Sequence, residues 1–372
     1  MYHRGHNQEA PVQNHRIYSC DDHLDINALP HKVFVDRLPA KYRDAGPITI
    51  EQDGKTWWTL NGEVISISGR WEGFNDAIQR VEGLDPDGMR AGDPKARIED
   101  MDRDGIWASI VYGPHALSGY NIPDPEQKKA VIRAWNDWAA EEFNLHSPGR
   151  LSALPMLPTT SPEDAVAELI RSAENGHVGA LFHCFEVDLL DAKWDRLWAA
   201  AEETGLPINF HIGGGTKLNP KEVQQRAMFA AIVPLQMDEP FAIMIYNGAL
   251  ERHPGFKMVL AESGIGWLPY MVARMDATYH KHCVPYPGQT ISTLPSEIFE
   301  RQVYATFEEE PLGPELIPLL PVDNLMWACD YPHPDSTWPN SAAAIDHALG
   351  PLGEEVVRKV TGENCKRLYN LP

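Results

Sequence analysis

Six side chains that can bind a metal ion or move a proton stand at the ends of five apolar runs. Asp21 and His23 follow Ile17-Tyr-Ser-Cys20 and, being two apart, point to one face of an extended strand. His183 follows Gly179-Ala-Leu-Phe182, His211 follows Pro207-Ile-Asn-Phe210, and Glu262 follows Lys257-Met-Val-Leu-Ala261. Asp330 closes Leu325-Met-Trp-Ala-Cys329, with His333 and Asp335 just beyond, and Glu308-Glu-Glu310 closes Val303-Tyr-Ala-Thr-Phe307. A carboxylate at the end of a buried strand is costly unless something compensates it. Each residue alone has an ordinary explanation: a strand-end Asp caps the next helix, and a lone strand His is usually a core or surface residue. Recurrence at one kind of position favours a metal site instead. Three imidazoles and three carboxylates with open positions suit one or two ions of zinc, manganese or iron. In such a site Glu262 would bridge ions or serve as a general acid or base, and His183 would hold a second ion or hydrogen-bond the substrate.

The elements that must position these residues alternate regularly. Strands are expected over residues 16–25, 105–113, 150–157, 177–185, 206–213, 256–264, 302–307 and 325–330. Helices are expected between them over 125–146, 162–175 (with Ser161 as N-cap), 194–204, about 224–252 and from 267, with 341–349 and 353–369 closing the chain. Eight such units fit a closed (β/α)8 TIM barrel or an open doubly wound sheet. An open sheet usually carries a glycine-rich phosphate loop after its first strand; here Asp22-His-Leu-Asp25 follows. The expectation is therefore one α/β barrel domain over 16–372, whose active site lies on the rim of C-terminal strand ends. Residues 1–15 read as a flexible terminus. Residues 30–100 read as an insertion after the first strand that covers the C-terminal face, with a hairpin turning at Asn61-Gly62. The insertion's aromatics and Trp267 suggest a small, partly apolar substrate with an anionic end. Arg70, Trp267 and His333 are the candidate substrate contacts, and Arg97 is a second candidate for the anion.

The chain has 372 residues and a net charge of -21, which argues against nucleic acid and anionic membranes as partners. No apolar run reads as long enough to span a bilayer, and the N-terminus has no apolar signal core. Five cysteines without a CxxC pair read as reduced thiols in a cytoplasmic protein. A small-molecule substrate and a homodimer are the expected partners.

Four of the pieces above, Asp21-Asp-His23, Pro207-Ile-Asn-Phe-His211, Leu260-Ala-Glu-Ser-Gly-Ile-Gly-Trp267 and Cys329-Asp-Tyr-Pro-His333, resemble the amidohydrolase superfamily. The similarity is to amidohydrolase family 2, the branch related to aminocarboxymuconate-semialdehyde decarboxylase, and runs from Asp21 to Tyr369. It implies that Asp21 and His23 take the place of the family's first-strand HxH or ExH ligand pair. His211 then takes the fifth-strand ligand position, and Asp330 is both ligand and general base. Two departures stand out. Decarboxylases of this branch commonly carry a catalytic His where this chain has Glu262. Binuclear members bridge two metals with a modified Lys where it has His183. The expected function is metal-dependent hydrolysis or decarboxylation of a small organic acid or its derivative. The alternative is a di-iron monooxygenase on the same scaffold, and a non-enzymatic binding protein is a third reading.

Overall fold

The computed structural model of the chain describes residues 15–69, 88–114, 122–214, 218, 222–288 and 291–372. Eleven strands are present among them: β1 (Ile17–His23), β2 (Ile48–Gln52), β3 (Lys55–Leu60), β4 (Glu63–Ile67), β5 (Ile106–Tyr112), β6 (Leu151–Ala153), β7 (Ala180–Leu181), β8 (Ile208–His211), β9 (Met258–Ala261), β10 (Val303–Phe307) and β11 (Leu325–Trp327). Eight of these, β1 and β5 to β11, pair only in parallel, in the runs β1-β5-β6 and β7-β8-β9-β10-β11. A parallel bridge from Met156 to Leu181 joins the two runs on one side. On the other, Asp330 N donates to Asp21 O at 2.9 Å and His23 N donates to Tyr331 O at 2.7 Å. The sheet is thereby closed into a barrel. Nearly all residues of the barrel strands are buried and, apart from β1 with Ser19, Asp21, Asp22 and His23, most are apolar, as a parallel sheet covered by helices on one face and by its own interior on the other requires.

Several barrel strands are shorter than their apolar runs. Pro155 and Pro158 lack the N–H a ladder needs and limit β6; β7 keeps only two paired residues, and Cys184–Glu186 already turns as a short helix. The helices follow their caps. Ser161 Oγ accepts from Asp164 N at 3.1 Å to open Pro162–Glu174, and Gly205, at φ 71°, closes Asp195–Thr204. The long helix expected over 224–252 is broken into Val223–Ile232, a 3-10 turn Val233–Met237, Asp238–Tyr246 and Ala249–Arg252. Pro234 removes a backbone donor and Gly248 takes a left-handed conformation, which explains both breaks. By length and composition alone Gln224–Tyr246 is apolar enough to cross a membrane, contrary to the sequence reading; its second half supplies Met237, Phe241, Met244 and Ile245 to the core.

The insertion after β1 contains the antiparallel sheet β2-β3-β4. Its turns fall at Asp53-Gly54 and at the expected Asn61-Gly62, all four residues at positive φ. Trp58 is fully buried against Phe34. Gly69 N donates to Asn27 O at 2.8 Å, just past the end of β1. Gln127 Nε2 donates to Asn61 Oδ1 at 2.9 Å, and Tyr42 Oη donates to Asp124 Oδ2 at 2.8 Å. The last two bonds tie Asn61, at the turn between β3 and β4, and Tyr42 to the start of helix Pro125–Trp138. Arg70, Trp71 and Phe74 lie outside the described residues, as do residues 1–14. At the start of the described residues, His15 Nε2 lies 2.7 Å from Thr361 Oγ1.

Candidate metal centre

The C-terminal strand ends bring Asp21, His23, His211, Glu262, Asp330 and His333 together. Ligand atoms of Asp21, His23, His211 and Glu262 lie within 4.8 Å of one another, and so do those of His23, Glu262, Asp330 and His333. His23 Nε2 is central: 3.4 Å from Asp21 Oδ1, 3.3 Å from Glu262 Oε2 and 3.1 Å from Asp330 Oδ1. His211 Nε2 is 3.0 Å from Glu262 Oε2 and 3.5 Å from Asp21 Oδ1. Its other nitrogen, Nδ1, is 2.8 Å from Ile212 O, which aims Nε2 at the cluster. Asp21 Oδ1 and both carboxylate oxygens of Asp330 are buried and accept no well-aligned hydrogen bond, although imidazole nitrogens stand nearby. Hard carboxylate oxygens and imidazoles converging at one largely buried place fit a divalent cation.

The backbone is bent to serve this convergence. Glu262 and Asp330 each follow directly on an apolar run and each takes a left-handed conformation, φ 50° and 59°. For residues with a Cβ that costs roughly 1–2 kcal/mol, and such strain collects where geometry is functional. Glu262 N donates to Thr306 Oγ1 at 2.7 Å, and the same hydroxyl donates to Asp21 Oδ2 at 2.9 Å. Further along, Glu310 accepts from Ile265 N and Gly266 N, both at 3.1 Å, and so clamps the loop after Glu262.

Electrostatics follow from placing carboxylates and imidazoles in a buried space. Burial lowers the affinity of His211 for a proton, but Asp21 and Glu262 outweigh it and push its pKa up to about 10. His23 and His333 also rise, against burial, because Asp330 and Glu262 face the first and Asp330 and Asp25 face the second. Burial would raise Glu262, but its bonds to His211 and His23 hold it well below the usual carboxylate range. Glu308, at the end of β10, is pushed well up by burial and then by the charges of Asp330, Glu262 and Asp21.

Not every sequence candidate joins the cluster. His183 belongs to neither group of ligand atoms; burial, with His211 and Lys128 nearby, lowers it to about 3, so it is neutral. His333 lies inside the cluster, stacked on His23 at 3.8 Å between ring centroids. Its Nδ1 is 3.0 Å from Asp330 Oδ1 and its Nε2 is 3.0 Å from Asp25 Oδ2. Trp267 is half-buried, with its indole N–H donated to Ser263 O at 2.8 Å. Arg97 is not available to an anionic substrate. It is fully buried, with Nη1 2.8 Å from His23 O and Nη2 3.3 Å from Asp22 Oδ2 and 3.4 Å from Tyr331 O. It pins the ends of β1 and β11 together beneath the cluster. Asp25, Thr306 and Glu310 were not read as site residues from the sequence; the run Glu308-Glu-Glu310 was the only local signal for the last.

Comparisons with known proteins bear on the family and the fold. The amidohydrolase family model matches residues 85–371. A 144-residue stretch is 36% identical to decarboxylase orsB of Emericella nidulans, covering 38% of this chain and 41% of that one, so the match spans under half of this relative. An amidohydrolase from Mycobacterium avium subsp. paratuberculosis K-10 superposes with a TM-score of 0.75 at 22% identity, over 96% of this chain and 99% of that one. A dihydroxybenzoic acid decarboxylase from Polaromonas sp. JS666, with bound manganese and the inhibitor 2-nitroresorcinol, superposes with a TM-score of 0.65 at 17% identity, over 95% and 97%. None of these three relatives is an oxygenase. With the family model covering most of its length and the barrel shared from end to end, the chain belongs to the amidohydrolase family.

Proposed function

We propose that the protein is a metal-dependent decarboxylase of a small aromatic carboxylic acid. The observation that carries this is the cluster of buried carboxylates and imidazoles on the barrel rim, with Asp330 at its edge in a left-handed turn. The decarboxylases among the relatives support the reaction class. Asp21, His23, His211 and Glu262 would hold the ion, with Asp330 completing the set. A bound divalent ion supplies Lewis-acid stabilisation of anionic oxygens.

Decarboxylation breaks a bond between two carbons and leaves an electron pair on the ring carbon, which must then receive a proton. Asp330 is placed to carry it. Its Oδ1 faces His333 Nδ1, and His333 in turn faces Asp25, so a donor stands behind the carboxyl. Asp21, held through Oδ2 by Thr306, keeps its Oδ1 turned inward. Arg97 fixes the backbone of His23 and Tyr331, so the two strands that carry His23 and Asp330 keep their spacing. The test is to load the protein with manganese or zinc and follow carbon dioxide release from a panel of dihydroxybenzoic acids. Release that requires the metal and is lost in Asp330→Asn supports the reading; a metal-loaded protein inert toward the whole panel counts against it.

Hydrolysis is the second reading, favoured by Glu262. A carboxylate there can accept a proton from water, as a histidine cation could not. Product analysis separates the two: carbon dioxide for decarboxylation, a new carboxylic acid for hydrolysis. Two ions per chain, a homodimer and a cytoplasmic location are further proposals. Metal analysis, light scattering and cell fractionation check them in that order.

A further inference from the structure

We propose that Thr306 is a positioning residue that sets Asp21 and Glu262, two of the carboxylates that would hold the ion. The inference rests on the metal centre proposed above, but not on the substrate. Thr306 is fully buried on β10, a strand that contributes no residue to either group of ligand atoms. Pairing between β10 and β9 stops at Ala305 with Leu260. Past that point, where Glu262 turns into the left-handed region, the Thr306 hydroxyl replaces the missing backbone acceptor and takes the Glu262 N–H at 2.7 Å. A hydroxyl has one proton to give, and it goes to Asp21 Oδ2 at 2.9 Å. β1 does not pair with β10, since β11 stands between them, so this bond reaches past a strand.

Two consequences follow. With Oδ2 engaged, Asp21 presents Oδ1, the atom that faces His23 and His211. With its N–H held, the Glu262 backbone is fixed at a turn that a residue with a Cβ does not favour. One hydroxyl therefore couples a ligand from β1 to a ligand from β9. Outer partners of this kind commonly change metal affinity 10–100-fold when removed.

The experiment compares manganese affinity, by calorimetric titration of the full chain, in wild type, Thr306→Val and Thr306→Ser. Valine keeps the shape and removes the hydroxyl; serine keeps the hydroxyl. The expected result is a loss of about 10–100-fold in affinity for valine, with serine restoring it to within about threefold of wild type. Thermal unfolding of the metal-free proteins reports packing separately. Thr306→Ala carries the same test if the valine variant does not fold. Wild-type affinity in the valine or alanine variant overturns the proposal. So does a serine variant as weak as valine, because the methyl group rather than the hydroxyl would then matter. Failure of wild type to bind manganese or zinc at all would instead overturn the metal centre.

Discussion

Loading the centre with metal should release protons, and the structure gives the sign and a rough size. In the ion-free protein His211 carries a proton up to a pH of about 10, because Asp21 and Glu262 outweigh its burial. A metal needs the neutral imidazole. At pH 7.5, which is 2.5 pH units lower, removing that proton costs on the order of 3 kcal/mol at ~1.4 kcal/mol per unit. Apparent affinity should therefore rise about tenfold per pH unit across pH 6.5–8.5 for one released proton, and more steeply if His23, also raised, gives up a second. Calorimetric titration of manganese in two buffers of different ionisation enthalpy measures the proton count directly. The same group has a stability consequence. Its folded pKa lies above the unfolded value of 6.5, so its contribution to ion-free stability is full below that pH. The contribution is lost as pH rises through about 10. An affinity that stays flat across this range, with less than about half a proton released, would refute the reasoning.

His211→Ala should lower bound metal and activity together; full occupancy by elemental analysis would remove His211 from the ligand set. Arg97→Ala leaves Asp22 buried without its cation and should cost about 3–5 kcal/mol in urea denaturation; a change under about 1 kcal/mol would contradict the buried pair. His183→Ala should leave the number of ions per chain unchanged, since His183 belongs to neither ligand group. A fall from two ions to one would restore it as a ligand. At position 330 the Gly variant of the ion-free protein should be more stable than the Ala variant by roughly 1 kcal/mol, because only glycine relieves the left-handed backbone; thermal unfolding decides it.

The barrel was legible because its strands are buried on both faces, so apolar runs and their abrupt polar ends mark both strand and rim. That signal picks out Asp21, His23, His211, Glu262 and Asp330, with His333 just beyond it, and the structure brings these six together. What escaped depended on distant partners. Arg97 reads as a surface cation because nothing within its own helix says that Asp22, 75 positions earlier, waits beneath it. Thr306 reads as an ordinary β-branched core residue, and its hydroxyl acquires meaning only when Asp21 and Glu262 arrive from other strands. Asp25 lies two residues past the end of β1, and nothing local says that the turn there brings it to His333. The helix over 224–252 was overextended because its apolar content outweighed Pro234 in the reading, whereas one missing N–H suffices to divide it.

The charge shifts at the rim have one origin. Asp21, Glu262 and Asp330 crowd together at the rim, with Asp25 and Glu308 close behind. Without an ion the protein meets that negative charge by holding protons, on His23, His211 and His333 and on the Glu308 carboxyl. A divalent cation would replace some of those protons with a fixed charge at the same place. The geometry does not wait for it. Thr306, Glu310 and Arg97 fix the backbones of Glu262, its loop and His23 through bonds that involve no ligand atom. The proposed ligands are therefore held by bonds of the fold itself, and the left-handed turns at Glu262 and Asp330 are braced by Glu262 N to Thr306 Oγ1 and Asp330 N to Asp21 O. That separation is why substitutions at Thr306 and Arg97 should read out differently, the first in metal affinity and the second in stability.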